Sequence, residues 1–125
     1  MVAPFELEVG KATSFSFVAN DDIEYCVGVT FERALDFEIL DTTLQAIFNN
    51  KDFDVLVEED GKAIAVGDWS GMGYGQNISL YLAEFEVQKG RHYDVRITPR
   101  KAYPELSVTN PLAEVDVAFW TYYTR

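Results

Sequence analysis

Apolar and polar residues alternate along most of this chain, and this two-residue period constrains the fold more than any other feature. A period of two is typical of β-strands that place one face on a core and the other in water. The alternation is clearest in residues 5–9, 53–57, 83–87, 93–97 and 115–119. The pattern therefore predicts an all-β protein, and by itself it says little about activity.

The alternation, read with the positions of glycine and proline, predicts about eight strands. They are expected at residues 4–9, 13–19, 22–31, 53–59, 62–67, 77–88, 91–99 and 113–123, and residues 106–109 could add a short one. A chain of 125 residues can bury roughly two-thirds of its unfolded surface, so it needs no metal or disulfide to fold. We expect one domain, residues 1–125, folded as a two-sheet antiparallel β-sandwich with one short helix.

Two tight turns are predicted to form hairpins. Asp60-Gly61 suits a turn that needs positive φ at both central residues. The expected register pairs Glu59 with Lys62, then Val57 with Ile64 and Val55 with Val66. The second turn, Lys89-Gly90, is predicted to pair Val87 with Tyr93, Phe85 with Val95 and Glu84 with Arg96.

Two segments depart from the simple alternation. Apolar residues change parity near Tyr81–Ala83, which predicts a β-bulge or a strand that is buried on both faces. Leu40, Leu44, Ile47 and Phe48 follow helical spacing. A short helix is expected there, with Asp41 as its N-cap and Asn49 or Asn50 ending it in the left-handed conformation. Because so short a helix is marginal alone, we expect it to plug one end of the sandwich.

The 21 acidic and 10 basic side chains give a net charge of −11. Nucleic acids and anionic membranes both require a cationic protein surface, so the charge argues against both partners. It suits a protein partner that is more basic than this chain, and it also favours solubility. Residues 89–101 carry five basic residues and one acid, and we expect them to pair with the acidic strands beside them.

The chain has few residues with which to build a catalytic site. Cys26 is the only cysteine, and its strand position predicts a buried, inert thiol. His92 is the only histidine, and its outward parity predicts a surface side chain rather than the base of a Ser-His-Asp triad. A zinc site needs more His or Cys ligands, and the acidic clusters lack calcium-loop spacing. We expect no cofactor, no metal site and no enzymatic activity, with an enzyme based on His92 and a carboxylate as a third hypothesis.

A glycine-rich segment, residues 67–77, has the most unusual composition in the chain. It is not a dinucleotide-binding motif, because a strand rather than a helix follows it. Trp69, Met72 and Tyr74 would offer apolar contact area on a mobile backbone, with Asp68 as an acidic rim. Such residues are favoured in protein interfaces. The alternative is a long connection whose Trp69 folds back onto the core.

The last strand ends in a second group of aromatic residues. Strand alternation places Trp120 and Tyr122 on the face opposite the core. They form a candidate contact patch if that face is open to solvent. They belong to the core if another layer covers them.

The order of these elements resembles a family of small bacterial β-sandwich proteins of unknown function, which are usually exported. The similarity lies in residues 25–31, in the helix through Leu44 and Phe48, in the strand 53–57 and in residues 80–95. The resemblance implies the fold and export, and it supplies no catalytic residue. The start of the chain is compatible with a periplasmic or exported protein whose leader has been removed, and equally with a cytoplasmic protein.

Besides the enzyme hypothesis, two non-enzymatic hypotheses follow from the sequence. The first is a non-enzymatic, acidic protein-binding module, such as an inhibitor or immunity protein that neutralises a more basic bacterial toxin. It would bind through Asp68, Trp69, Met72 and Tyr74. The alternative is a carbohydrate-binding module with stacking platforms at Trp69, Tyr74, Trp120 and Tyr122. The sequence leaves the oligomeric state open.

Overall fold

The protein is a β-sandwich of two antiparallel sheets, as predicted, and the residues that the structure describes include one α-helix. The computed structural model describes residues 2–5, 7–31, 37–74, 78–103 and 113–120. The strands are β1 (Val2–Phe5), β2 (Thr13–Val18), β3 (Ile23–Phe31), β4 (Phe53–Glu59), β5 (Lys62–Ala63), β6 (Gly67–Asp68), β7 (Met72–Tyr74), β8 (Ile78–Val87), β9 (His92–Pro99) and β10 (Ala113–Trp120). The helix α1 spans Phe37–Ile47, and a 3-10 turn spans Asn50–Asp52.

Neighbouring strands in each sheet come from distant parts of the chain. The larger sheet has the order β1-β10-β3-β8-β6, and β7 also pairs with β8. The smaller sheet has the order β2-β9-β4-β5. Every pairing is antiparallel.

The core lies between the two sheets and is built from the apolar parity of the strands. In the larger sheet, β3 buries Val27, Val29 and Phe31 completely. In the smaller sheet, β9 alternates buried and accessible residues along its length. Fully burying each such aliphatic or aromatic side chain stabilises the fold by about 1.5–3 kcal/mol. The two-residue period in the sequence thus arises because alternate residues of each strand face this core.

The helix α1 is confirmed, but it begins before the predicted N-cap. Asp41 lies in its second turn, so the prediction that Asp41 caps it is wrong. The apolar spacing extends back to Phe37, which lets the chain become helical one turn earlier. Leu44 is buried, and Ile47 and Phe48 pack against the core, so the predicted apolar face is correct.

The helix also ends differently from the prediction. Asn49 has a φ of −144°, which is extended rather than left-handed. Its side chain accepts a hydrogen bond from the Lys51 amide at 3.0 Å. Asn49 therefore caps the 3-10 turn after the helix, and Asn50 is the first residue of that turn.

The predicted bulge is present in β8. Pairing with β3 shifts between Val27, which lies opposite Ala83, and Gly28, which lies opposite Tyr81. Leu82 is the extra residue, and both Leu82 and Ala83 are buried. The bulge reconciles the two parities in the sequence.

The Asp60-Gly61 hairpin is confirmed close to its turn. Both residues have positive φ, 48° and 87°, and Glu59 pairs with Lys62. The Ile64 amide still donates to the Val57 carbonyl at 3.0 Å. Beyond that point the prediction is wrong, because β5 ends at Ala63 and residues 64–66 leave the smaller sheet for the edge of the larger one.

The Lys89-Gly90 hairpin prediction is wrong, because β8 and β9 belong to different sheets. The turn is an arch across the end of the sandwich, in which the Lys89 amide donates to the Asp22 carboxylate at 2.7 Å. Glu84 pairs with Cys26, and Arg96 pairs with Ser14 and Leu56.

The first and last strands have different bounds from those predicted. The first strand is Val2–Phe5 rather than residues 4–9, and Val9 lies in a turn. The last strand ends at Trp120, whose backbone pairs with Glu24. Tyr122 and the further strand considered at residues 106–109 lie outside the described part of the chain.

Candidate functional site

The described part of the glycine-rich segment is built onto the edge of the larger sheet. β6 pairs with Glu84 and Ala83 of β8, and β7 pairs with residues 78–80 of the same strand. Between them, the Tyr81 amide donates to the Gly71 carbonyl at 3.0 Å. The backbone of residues 67–74 therefore follows β8 and is hydrogen-bonded to it at both ends and in the middle.

Trp69 fixes the middle of this segment by stacking on Tyr81. The ring centroids are 4.1 Å apart and the planes differ by 6°. The Tyr81 hydroxyl lies against Gly73, where an added Cβ would sit 2.0 Å from the hydroxyl oxygen. Gly73 is therefore required for this close approach, and one face of the Trp69 ring is covered.

Asn50 joins the segment to the end of the helix. Its side-chain amide donates to the Trp69 carbonyl at 3.1 Å. Because Asn50 begins the 3-10 turn that Asn49 caps, this hydrogen bond holds the glycine-rich segment beside the C-terminal end of α1.

A groove of about 460 Å³ lies between α1 and the glycine-rich segment. It is lined by Leu44, Gln45, Phe48, Asn49, Asn50, Ser70, Gly71 and Met72. Its apolar residues, Leu44, Phe48 and Met72, also belong to the core or pack against it. The other lining residues are mainly carboxamides, which can both donate and accept hydrogen bonds.

Tyr74 stands at the rim of this groove and is 54% exposed. Gln45, which lines the groove, donates to the Tyr74 hydroxyl at 3.4 Å. A hydrogen bond with Asp41 raises the pKa of Tyr74, because the carboxylate favours the protonated phenol. The Tyr74 hydroxyl also approaches the Met72 sulfur at 3.7 Å, so the exposed ring is tied to both walls of the groove.

A second cavity, of about 320 Å³, lies at the open side of the sandwich. It is lined by Asn50, Lys51, Phe53, Asp54, Val55, Val66, Asp68, Leu82, Ala83 and Arg100. Asn50 lines both cavities, so the hydrogen bond from Asn50 to Trp69 lies between them.

The four residues proposed from the glycine-rich segment thus occupy different places. Met72 lines the groove and Tyr74 contacts its rim, whereas Asp68 lines the second cavity. Trp69 lies on Tyr81. Sequence reasoning missed Gln45 and Asn50 as site residues, although the polar run Asn49-Asn50 directly after an apolar helix was a visible signal.

His92 lies on the open face of the smaller sheet, and its side chain is 49% exposed. Its Nε2 is 3.2 Å from Asp94, which also accepts a hydrogen bond from the Ser16 hydroxyl. Asp94 therefore stands between the serine and the imidazole, whereas a Ser-His-Asp triad needs the imidazole in the middle. The Ser16 hydrogen bond, followed by the His92 contact, lowers the pKa of Asp94.

Cys26 is buried, as expected. Burial, reinforced by the carboxylates of Glu84 and Glu24, raises the pKa of this thiol to about 12. A thiol with so high a pKa is a poor nucleophile at neutral pH.

Three residues of the basic segment are paired with acids, as predicted. Arg91 meets Glu59 at 3.2 Å, and Arg100 meets Asp54 at 3.6 Å. Lys101 meets Asp52 at 3.9 Å. These contacts account for much of the cationic cluster without a ligand.

Across the described ranges, no group of three or more His, Cys, Asp or Glu side chains is placed to hold a metal ion. Within the same residues, no helix is long and apolar enough to cross a bilayer.

Comparison with known proteins yields a structural neighbour. No protein-family model matches the chain, and no curated protein is significantly similar to it. The fold is similar to the crystal structure of a protein from Sulfurospirillum deleyianum, with a TM-score of 0.62 and 14% sequence identity over 96% of both chains. At that identity the similarity concerns the fold alone.

Proposed function

We propose that this protein is a non-enzymatic binding module that takes an apolar side chain of a protein partner into the groove between α1 and the glycine-rich segment. The observation that carries the proposal is the groove itself, which combines an apolar lining with a carboxamide rim and an exposed tyrosine. Protein interfaces centre on such apolar pockets surrounded by polar groups, and tyrosine is among their favoured residues.

The charge of the chain defines the chemistry of that partner. A net charge of −11, with Asp41 hydrogen-bonded at the groove rim, suits a surface that carries lysines or arginines around its apolar anchor. Complementary charge would accelerate encounter between the two proteins, and the apolar anchor would slow their dissociation.

An inhibitor or immunity protein that neutralises a basic bacterial toxin fits this description best. A small acidic domain can block a larger basic protein by covering its active surface. The resemblance to small exported bacterial β-sandwich proteins supports a role outside the cytoplasm.

The first test compares groove variants with a control variant in partner capture. Gln45→Arg and Tyr74→Ala change exposed residues at the rim, whereas Leu56→Ala changes an exposed residue on the outer face of β4. The product of the neighbouring gene, mixed with each purified chain, is followed by size-exclusion chromatography.

We expect the wild-type chain and Leu56→Ala to form the complex, and both rim variants to weaken it by about tenfold or more. A complex that forms equally well with all four chains would rule out the groove as its site. Absence of any complex would rule out this partner, and the same four chains would then be compared in capture from a lysate of the source cells.

Carbohydrate binding is the second candidate, because the exposed Tyr74 ring lies beside carboxamides that can bond sugar hydroxyls. Carbohydrate binding ranks second because the other aromatic ring of this segment that could stack on a sugar, Trp69, has one of its faces covered by Tyr81. Binding to a glycan array that is lost in Tyr74→Ala and kept in Leu56→Ala would favour it over a protein partner.

A further inference from the structure

The outer edge of β4 is covered by its neighbour over only part of its length. On one side β4 pairs with β9 from Phe53 to Glu59. On the other side, among the described residues, β5 pairs with Glu58 and Glu59, and the Ile64 amide donates to the Val57 carbonyl at the next outward position. The chain then crosses to the larger sheet at Gly67, so the edge opens beyond Val57.

The hydrogen-bond ladder shows which backbone groups of β4 face this opening. The Arg100 amide donates to the Asp52 carbonyl, and the Asp60 amide donates to the His92 carbonyl. Even-numbered residues of β4 therefore point their amides and carbonyls toward β9. Odd-numbered residues point theirs outward, as the bond between Val57 and Ile64 shows.

Val55 is the open position on this edge. Phe53 donates its amide to the Asn50 carbonyl, which closes one end, and Val57 is paired at the other. Within the described ranges no strand pairs with Val55 on its outer side, and Val55 lines the cavity of about 320 Å³. One wall of the cavity therefore presents the Val55 amide as a hydrogen-bond donor and the Val55 carbonyl as an acceptor.

The other walls favour an uncharged occupant. Val66, Leu82 and Ala83 provide apolar surface. Lys51 and Asp68 line the cavity with opposite charges, and Arg100 is paired with Asp54. The lining residues thus carry no net charge, and the groups that select a ligand are the Val55 backbone and the apolar wall.

We propose that a short extended segment of the protein partner enters the gap on the β4 edge at Val55, between the positions that Asn50 and Ile64 already occupy. A residue placed opposite Val55 exchanges two backbone hydrogen bonds with it, and its side chain shares the inward direction of Val55. An apolar side chain there faces Leu82 and Ala83, in the position that Val66 would have filled had the hairpin continued. This inference rests on the proposed protein-binding function and adds a second contact to it.

The probe is a set of blocked tripeptides with the sequence Thr-X-Thr, where X is Gly, Ala, Val or Leu. Each peptide is titrated at millimolar concentration into the isotopically labelled full chain and followed by amide NMR. We expect shifts at Val55, Leu82 and Ala83, and affinity that rises about tenfold from Gly to Leu. N-methylation of X removes the amide that bonds Val55 and should abolish binding, whereas N-methylation of a neighbouring residue should not.

Val55→Pro tests the same contact from the protein side. It removes an outward amide and leaves the β9 ladder intact, a placement that proline tolerates on edge strands. We expect at least about a tenfold loss of peptide affinity, with the Leu56 amide still protected from exchange. The N-methylated peptides keep the test decisive even if this variant folds poorly.

The outcomes separate this inference from the proposed function. Peptides that leave the Val55 amide unmoved, or that bind regardless of N-methylation, would overturn strand addition, while groove-dependent partner capture would still stand. Protection of Val55 by the peptides with no effect of Gln45→Arg or Tyr74→Ala on capture would overturn the groove proposal alone.

Discussion

Gly28 shows how one residue identity fixes the geometry of a sheet. It lies beside the bulge in β8, and a Cβ added there would sit 2.6 Å from the carbonyl oxygen of Leu80. That contact is with the backbone, so no side-chain rotation can relieve it. We predict that Gly28→Ala lowers the free energy of unfolding by about 1–3 kcal/mol, measured by urea denaturation.

Gly67→Ala is the matched control for Gly28→Ala. Its added Cβ would meet the Glu84 side chain at 3.4 Å, an ordinary contact distance. We expect a change within about 0.5 kcal/mol. Equal stability changes in the two variants would contradict the argument that backbone contact at Gly28 decides the cost.

Tyr93 makes the stability of the core depend on pH. Its ring is fully buried, and its hydroxyl donates to Glu59 at 2.5 Å and accepts from the Gln88 amide at 2.7 Å. Burial, followed by the hydrogen bond to Glu59, raises the pKa of Tyr93 from 10.0 to about 12. The folded state therefore holds this proton at pH values where the unfolded chain has lost it.

We predict that Tyr93→Phe is less stable than the wild type by about 1–3 kcal/mol below pH 10, because Glu59 and Gln88 lose a buried partner. The stabilisation that comes from the raised pKa is complete below pH 10 and is lost as pH rises toward about 12. The difference in the free energy of unfolding between the wild type and Tyr93→Phe, measured by urea denaturation, should therefore become smaller over that pH interval. A constant difference would show that the phenol does not titrate differently in the two states.

At the scale of elements, the stack of Trp69 on Tyr81 holds the glycine-rich segment to β8. Such a pair contributes about 0.5–1.5 kcal/mol beyond the area it buries. We predict that Tyr81→Ala speeds hydrogen exchange of the Trp69 amide, which donates to the Leu82 carbonyl at 3.4 Å, by about tenfold. Tyr81→Phe keeps the ring and should leave that exchange within about twofold; equal acceleration in both variants would point to the hydroxyl instead.

The strands could be predicted from the sequence because each one lies on the core with alternate residues. Their partners could not, and the Lys89-Gly90 turn shows why. A hairpin within one sheet and an arch between two sheets place the same residues, such as Phe85 and Tyr93, in the same core. Alternation therefore reports which side of a strand is buried and not which strand lies beside it.

The candidate groove was only partly visible in the sequence for a related reason. Its walls come from the end of α1 and the 3-10 turn, which are close together in the chain, and from residues 70–72 of the glycine-rich segment, about 20 residues further on. Unusual composition identified Met72 and Tyr74. Gln45 carries no such signal, and Asn50 is marked only by the polar run that it forms with Asn49. The roles of both residues depend on contacts that form only when β6 and β7 join β8.

At the scale of the whole molecule, like charges face each other across strands. Glu24 lies opposite Glu86 between β3 and β8, and Glu58 lies opposite Asp94 between β4 and β9. Such pairs are destabilising, and the net charge of −11 adds long-range repulsion. The ion pair between Arg91 and Glu59 opposes this effect, but exposed pairs of that kind contribute only about 0–1 kcal/mol each.

Screening should therefore stabilise the fold. Raising sodium chloride from about 0.01 M to about 0.5 M shortens the screening length from about 30 Å to a few ångströms. We predict an increase on the order of 1 kcal/mol in the free energy of unfolding, measured in urea because that denaturant is uncharged. Glu86→Gln removes one member of a facing pair, so it should be more stable than the wild type at low salt and gain less from added salt. A loss of stability with salt would show that attractive ion pairs outweigh the repulsion that this surface carries. An identical salt dependence in Glu86→Gln would show that the facing pair of Glu24 and Glu86 does not contribute to that repulsion.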